Sequence, residues 1–166
     1  AYALLMTNRI ELDIDDAYAA QVPSTELLAL LDDVLAAESV DAAAQLTIRI
    51  TGDELLQELN RTHRGIDAPT DVLSFPAEDD DFPSGENHES DSYLGDIAIS
   101  VPAVHRNAEL TGTLPDRELR HLVTHGVLHL LGYDHDSDED EARMRAREVE
   151  LLGGWVNAIW DAPPTH

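Results

Sequence analysis

The chain has 166 residues, a formal net charge of −24 and no cysteine, and its ten basic residues are all arginine. This length suits one domain with a sizeable core, and the lack of cysteine excludes disulfides and thiolate ligands, so a zinc site must use histidine or carboxylate. Without an apolar run of membrane-spanning length or a signal-peptide pattern, we expect a cytoplasmic protein with no membrane partner.

Apolar periodicity predicts strands and helices that follow one another along the chain. In chain order, we predict strands over residues 4–10, 45–51, 71–75 and 94–100, and helices over residues 24–37, from 53 onward, 102–110, 115–131 and 138–152. Such a succession predicts an α+β fold (α/β layered), with a small mixed sheet of about four strands packed with helices.

We expect a single domain over residues 1–155, followed by a tail over residues 156–166. Residues 78–91 hold seven acidic residues and no basic one, around a Pro-Ser-Gly turn. This composition is typical of a solvated loop, although the loop could also lie near a functional site.

Three histidines carry the most specific pattern in the chain. His125, His129 and His135 follow the spacing H-x3-H-x5-H. Residues four apart lie on one face of a helix, and Gly132 can end that helix by adopting a positive φ, which returns His135 toward the other two. Three imidazoles leave a coordination position open for water, as in catalytic zinc sites. We therefore predict a metal site at the C-terminal end of a central helix, with zinc as the expected ion and other divalent transition metals possible.

The same spacing occurs in metzincin peptidases, but with one difference that bears on function. Those enzymes carry a general-base Glu directly after the first histidine, whereas this chain has Gly126. A metallo-hydrolase of another substrate class, such as a peptidase, stays open as an alternative, although the missing base disfavours it.

Three blocks of sequence together resemble the YbeY family of endoribonucleases. The blocks cover residues 59–76, 94–100 and 121–135, in the order that the family shows. Met144 and Glu148 also fall where the family has a Met and a Glu in its closing helix. The combined match is highly specific, whereas the N-terminal third agrees only in its general pattern of strand, helix and strand.

The resemblance implies a metal-dependent endoribonuclease, a hydrolase that prefers single-stranded RNA; with zinc as the expected ion, we predict a zinc-dependent endoribonuclease. The family matures the 3′ end of small-subunit ribosomal RNA and acts in ribosome quality control. The resemblance also implies that His125, His129 and His135 are the metal ligands and that Arg64 is the catalytic arginine. The implied partners are ribosomal RNA precursor and the ribosomal small subunit, with no DNA partner expected.

The residues themselves give Arg64 a chemical role, because a guanidinium can pair two oxygens of a phosphodiester through its fixed fork of donors. A structural pair with Asp67 or Asp71 is the alternative. Further candidates for contacts around the ligands or with substrate are His121, Asp134, Asp71 and Ser74. No side chain is identified as the general base, and attack by the RNA 2′-OH or by water both stay open.

The negative charge is the property least expected of an RNA-binding protein, because it repels nucleic acid at long range. One interpretation is adaptation to high salt, where charges are screened within a few ångströms, and the other is an ordinary soluble acidic protein. A second alternative function is a ribosome-associated protein whose zinc is purely structural, which the open coordination position disfavours.

Overall fold

The computed structural model describes residues 2–7, 9–77 and 92–153. Its strands are β1 (Tyr2–Met6), β2 (Ile10–Asp15), β3 (Gln45–Thr51), β4 (Val72–Pro76) and β5 (Tyr93–Ser100). Its helices are α1 (Ser24–Ala37), α2 (Asp53–Arg64), α3 (Val101–Thr111), α4 (Pro115–Leu130) and α5 (Asp138–Leu152), and a 3₁₀ segment covers Asp16–Gln21. The acidic loop over residues 78–91 and the tail over residues 156–166 lie outside the described residues.

The five strands form one mixed sheet in the order β1-β2-β3-β5-β4. β2, β3 and β5 run parallel, while β1 and β4 lie antiparallel at the two edges. The α+β fold class is confirmed. Within the described residues, no helix is long and apolar enough to cross a membrane.

The prediction of about four strands was wrong by one, at the N-terminus. The apolar run over residues 4–10 is not one strand, because the chain reverses within it and pairs β1 with β2, placing Leu5 opposite Leu12. Thr7 stabilises the reversal, since its hydroxyl accepts hydrogen bonds from the backbone N–H groups of Arg9 and Ile10. The polar residues Thr7, Asn8 and Arg9 interrupt the apolar run and are the sequence signal for this turn.

Side chains alternate across the sheet and build apolar clusters on both of its faces, as the two-residue period of a strand requires. On β5, Ile97 and Ile99 join the larger cluster, to which α1, α3 and α4 contribute. Ala98 points to the other face, where Leu56 and Leu59 of α2 cover it. The sheet is therefore a middle layer, with α4 on one side and α2 on the other.

Two helix ends bring residues from distant parts of the sequence to the edge strand β4. α2 ends at Arg64, and a short connection over residues 65–71 leads from it to β4, while α4 packs against both β4 and β5. Both predicted site segments, the arginine block and the histidine block, thus lie beside the same edge of the sheet.

Candidate metal centre

The C-terminus of α4 has the geometry that the histidine spacing predicts. Gly132 has φ +100°, and the N–H of Tyr133 donates to the carbonyl of Leu128 at 3.0 Å while that of Gly132 donates to His129 at 3.1 Å. These two bonds form a Schellman motif, which ends a helix through a residue of positive φ. The predicted role of Gly132 in ending the helix is confirmed, and the reversal brings His135 back beside the helix.

Nitrogen atoms of His125, His129 and His135 converge at this end of α4. One ligand atom from each lies within 4.8 Å of the others, and the Nε2 atoms of His125 and His129 are 3.0 Å apart. Two nitrogens bound to one tetrahedral zinc ion at their usual bond lengths are separated by about 3.3 Å. The separation of the His125 and His129 nitrogens is therefore close to that required for binding one shared cation, and a nitrogen of His135 lies within 4.8 Å of both.

The protonation state of His129 also suits a ligand. Burial, together with the charges of His125 and His135, lowers the pKa of His129 to about 4. A neutral imidazole offers the lone pair that a metal requires, so no proton has to leave His129 at neutral pH.

A buried carboxylate from α5 lies behind the imidazoles. Glu148 accepts a hydrogen bond from Nδ1 of His125 at 2.6 Å and another from Nε2 of His121 at 3.0 Å. Burial opposes ionisation of Glu148, but the hydrogen bonds and charges of His121 and His125 outweigh it and lower the pKa of Glu148 to about 2. Glu148 is thus a carboxylate at neutral pH.

A cleft of about 360 Å³ lies over the three histidines. Arg64, Ser74 and Asp134 line it together with His125, His129 and His135, whereas His121 and Asp71 are not among the lining residues. The structure therefore gathers most of the predicted site residues around one opening.

Arg64 lies at the rim of this cleft with its side chain exposed. It is the last residue of α2, and Gly65, at φ +70°, turns the chain away directly after it. Among the described residues Arg64 makes no ion pair, and Asp67, one of its alternative partners, instead accepts a hydrogen bond from Gln57 at 3.1 Å. Its guanidinium is consequently available to a ligand in the cleft.

Ser74 on β4 contacts α4, the helix that carries His125 and His129, directly. Its hydroxyl donates to the carbonyl of Gly126 at 3.3 Å. A Cβ atom on Gly126 would lie 3.0 Å from Cγ2 of Ile97 and 3.3 Å from Oγ of Ser74, so glycine permits this close approach. Side chains of the sheet therefore occupy the space that a general-base side chain at position 126 would need.

Gly126→Glu should lower the free energy of unfolding by about 3 kcal/mol or more, because it forces a charged side chain against the buried Ile97. Gly126→Ala is the milder control, since the gain in helix propensity of about 1 kcal/mol offsets part of the crowding. Urea unfolding monitored by circular dichroism measures both. A Gly126→Glu protein as stable as the parent would show that the contact with the sheet is not tight.

Two other candidate residues, Asp134 and Asp71, make hydrogen bonds that hold nearby segments of the chain in place. Oδ1 of Asp134 accepts a hydrogen bond from the backbone N–H of His135 at 2.7 Å, which fixes the turn that carries the third histidine. Asp71 is buried and accepts hydrogen bonds from the N–H of Val72 and from Nδ2 of Asn107, fastening the start of β4 to α3.

Two buried glutamates near the site have no assigned role from the sequence pattern. Glu148 contacts His125, one of the predicted ligands, although their sequence positions differ by 23. Glu118, one turn before His121, is fully buried, and burial raises its pKa to about 7. For Glu148 the sequence signal is its match to the Glu of the family's closing helix, whereas Glu118, between Arg117 and Leu119, carries no signal that surface residues lack.

Comparison with known proteins agrees with this geometry. Residues 12–155 match the family model of Endoribonuclease YbeY. The chain is 46% identical over 144 residues to Endoribonuclease YbeY of Roseiflexus sp. (strain RS-1), covering 86% of this chain and 90% of that protein. It is 44% identical over 151 residues to that of Moorella thermoacetica (strain ATCC 39073 / JCM 9320), covering 87% and 97%.

A solved structure is also similar. The solution structure of TM1509 from Thermotoga maritima superposes with a TM-score of 0.55 at 27% sequence identity, covering 95% of this chain and 98% of that one. Because the family model spans most of the chain and the relatives exceed 40% identity along nearly their whole length, this chain belongs to the YbeY family of endoribonucleases.

Proposed function

We propose that the protein is a zinc-dependent endoribonuclease that cleaves single-stranded RNA in maturation of the small-subunit ribosomal RNA 3′ end and in ribosome quality control. His125, His129 and His135 hold the ion, and Arg64 binds the scissile phosphate. Ribosomal RNA precursor is the substrate, and the ribosomal small subunit is the place of action. Membership in a family named for endoribonuclease activity supports the reaction class.

One observation carries the proposal: a single cleft holds both the three converging imidazoles and an arginine without an ion pair among the described residues. When bound, zinc supplies a Lewis acid that polarises a phosphoryl oxygen and lowers the pKa of water. Arg64 neutralises negative charge that develops on the phosphoryl oxygens, and its planar fork fixes their orientation. The two groups together suit a phosphodiester better than a peptide bond.

The chain's own residues leave little room for peptidase chemistry. Position 126 carries no side chain, and the space beside it is filled by Ile97 and Ser74. RNA brings its own nucleophile in the 2′-OH, so its cleavage does not require a carboxylate at that position. Ser74, whose hydroxyl lines the cleft, is placed to contact a sugar or phosphate oxygen.

The position of Arg64 also explains how a protein of net charge −24 could bind RNA, which that charge repels at long range. Four other arginines are held in ion pairs with acidic residues: Arg49, Arg106, Arg145 and Arg147. These pairs leave little positive potential on their surfaces, while the cleft keeps an available guanidinium and would gain the charge of the cation. We therefore expect RNA to dock chiefly around the scissile phosphate, where Arg64 and the cation would lie.

Removal of the metal tests the proposal. Protein treated with EDTA and dialysed should lose cleavage of a fluorescent single-stranded RNA, and one equivalent of zinc should restore it. A DNA strand and a peptide of mixed sequence serve as controls and should stay intact under both conditions. Cleavage of the peptide but not of the RNA would replace the proposal with the peptidase alternative.

A further inference from the structure

The buried carboxylate of Glu148 uses both of its oxygens on imidazoles. Oε1 faces Nδ1 of His125 at 2.6 Å and Oε2 faces Nε2 of His121 at 3.0 Å. Glu148 is 6% exposed, and His121 and His125 are each 5% exposed. Neither Glu148 nor His121 lines the cleft, so the carboxylate acts on the site only through the ring of His125.

This arrangement dictates which nitrogen of His125 carries its proton. An ionised carboxylate only accepts hydrogen bonds, so the nitrogen that faces it, Nδ1, must be the donor. In the neutral ring the lone pair is then on Nε2, and Nε2 is the atom that lies 3.0 Å from Nε2 of His129. The carboxylate thus matches the tautomer that a shared metal ion needs.

We propose that Glu148 is a positioning residue of the metal centre: it fixes the orientation and the Nδ1–H tautomer of His125, and His121 anchors the carboxylate without itself being a ligand. The inference rests on the proposed metal-binding role of His125. A carboxylate that accepts from a ligating imidazole also raises the basicity of that ligand, which strengthens its bond to the cation.

A competing arrangement would place an ion among His121, His125 and Glu148, whose ligand atoms also lie within 4.8 Å of one another. That ion would have to displace both hydrogen bonds to Glu148 and take the Nδ1 proton of His125. The short contact at Nδ1 and the convergence of two Nε2 atoms on the cleft side favour one ion, held on the cleft side.

Glu148→Gln tests the role by metal affinity rather than by activity. The amide nitrogen of Gln can only donate, so one of the two imidazoles must change its tautomer or lose its partner. We expect zinc affinity, measured by competition with a chromophoric chelator, to fall about 10- to 100-fold. Glu139→Gln, an exposed position on the same helix, makes the same change of charge and should leave the affinity unaltered.

An unchanged affinity in a folded Glu148→Gln protein would overturn the proposal. If that variant does not fold, the zinc-loaded parent protein decides the question, because two-dimensional ¹H–¹⁵N spectra of the imidazoles report which nitrogen carries the proton. The expected result is a proton on Nδ1 of His125 and a proton on Nε2 of His121. A proton on Nε2 of His125, or metal-shifted nitrogens on His121, would assign the ligands differently.

These readouts separate the inference from the proposed function. A protein that binds zinc through His125 with the expected tautomer but fails to cleave RNA would support the role of Glu148 and refute the nuclease. Zinc-dependent cleavage by a protein whose His125 carries its proton on Nε2 would support the nuclease and refute the role of Glu148.

Discussion

His129→Ala is expected to abolish tight zinc binding and to lower RNA cleavage by more than about 100-fold, the upper range typical when only a partner of a ligand is removed. The loss should be larger because His129 is itself one of the three proposed ligands, with its Nε2 3.0 Å from Nε2 of His125. Metal analysis after gel filtration and a single-stranded RNA cleavage assay measure the two effects.

The same variant should keep its fold, which distinguishes a catalytic from a structural ion. His129 is half-buried at the last turn of α4, while the core contacts of that helix come from Leu122, Val123 and Val127, all fully buried. His105→Ala, an exposed histidine on α3, is the matched control and should behave like the parent protein. Loss of the native circular dichroism spectrum in His129→Ala alone would instead assign the ion a structural role.

Arg64→Ala should retain one zinc ion per chain but cleave RNA roughly 10²- to 10³-fold more slowly, as when one donor to a developing oxyanion is removed. The guanidinium stands at the rim of the cleft, outside the converging ligand set, so its loss leaves the imidazoles in place. Arg64→Lys should recover only part of the rate, because an ammonium keeps the charge but lacks the planar fork.

Arg61→Ala separates a local effect from a general change of charge. Arg61 lies one turn earlier on α2, is exposed, and does not line the cleft. Its loss removes the same charge and should change the cleavage rate by less than about threefold, in line with the small effects of exposed charges. Equal losses of cleavage rate in Arg61→Ala and Arg64→Ala would mean that α2 attracts RNA through its overall charge and that Arg64 does not contact the scissile phosphate.

The sequence predicted the local parts of this structure well, because a short-range pattern encodes them. The alternation of Leu46, Ile48 and Ile50 with polar residues predicts β3, and all three are buried. The reversal at Gly132 follows from helix geometry and one glycine. The N-terminal hairpin was missed because the polar break at Thr7, Asn8 and Arg9 is short and contains neither glycine nor proline, the strongest turn signals.

The environment of the ligands depends on contacts between distant segments, which a sequence pattern does not contain. The spacing of His125 and His129 on one helix placed them together, whereas the contact of Glu148 with His125 exists only because α5 packs across α4. Likewise, Gly126 could be identified as a missing base, but its packing against Ile97 of the sheet required the fold.

A zinc titration of the metal-free protein most directly tests whether the three-histidine site cleaves RNA. The rate of single-stranded RNA cleavage should be negligible without metal, rise linearly with added zinc, and level off at one ion per chain. Under the same conditions His129→Ala should stay inactive at every zinc concentration in the titration. Full cleavage by the metal-free protein, or a zinc response that persists in His129→Ala, would contradict a catalytic ion at His125, His129 and His135.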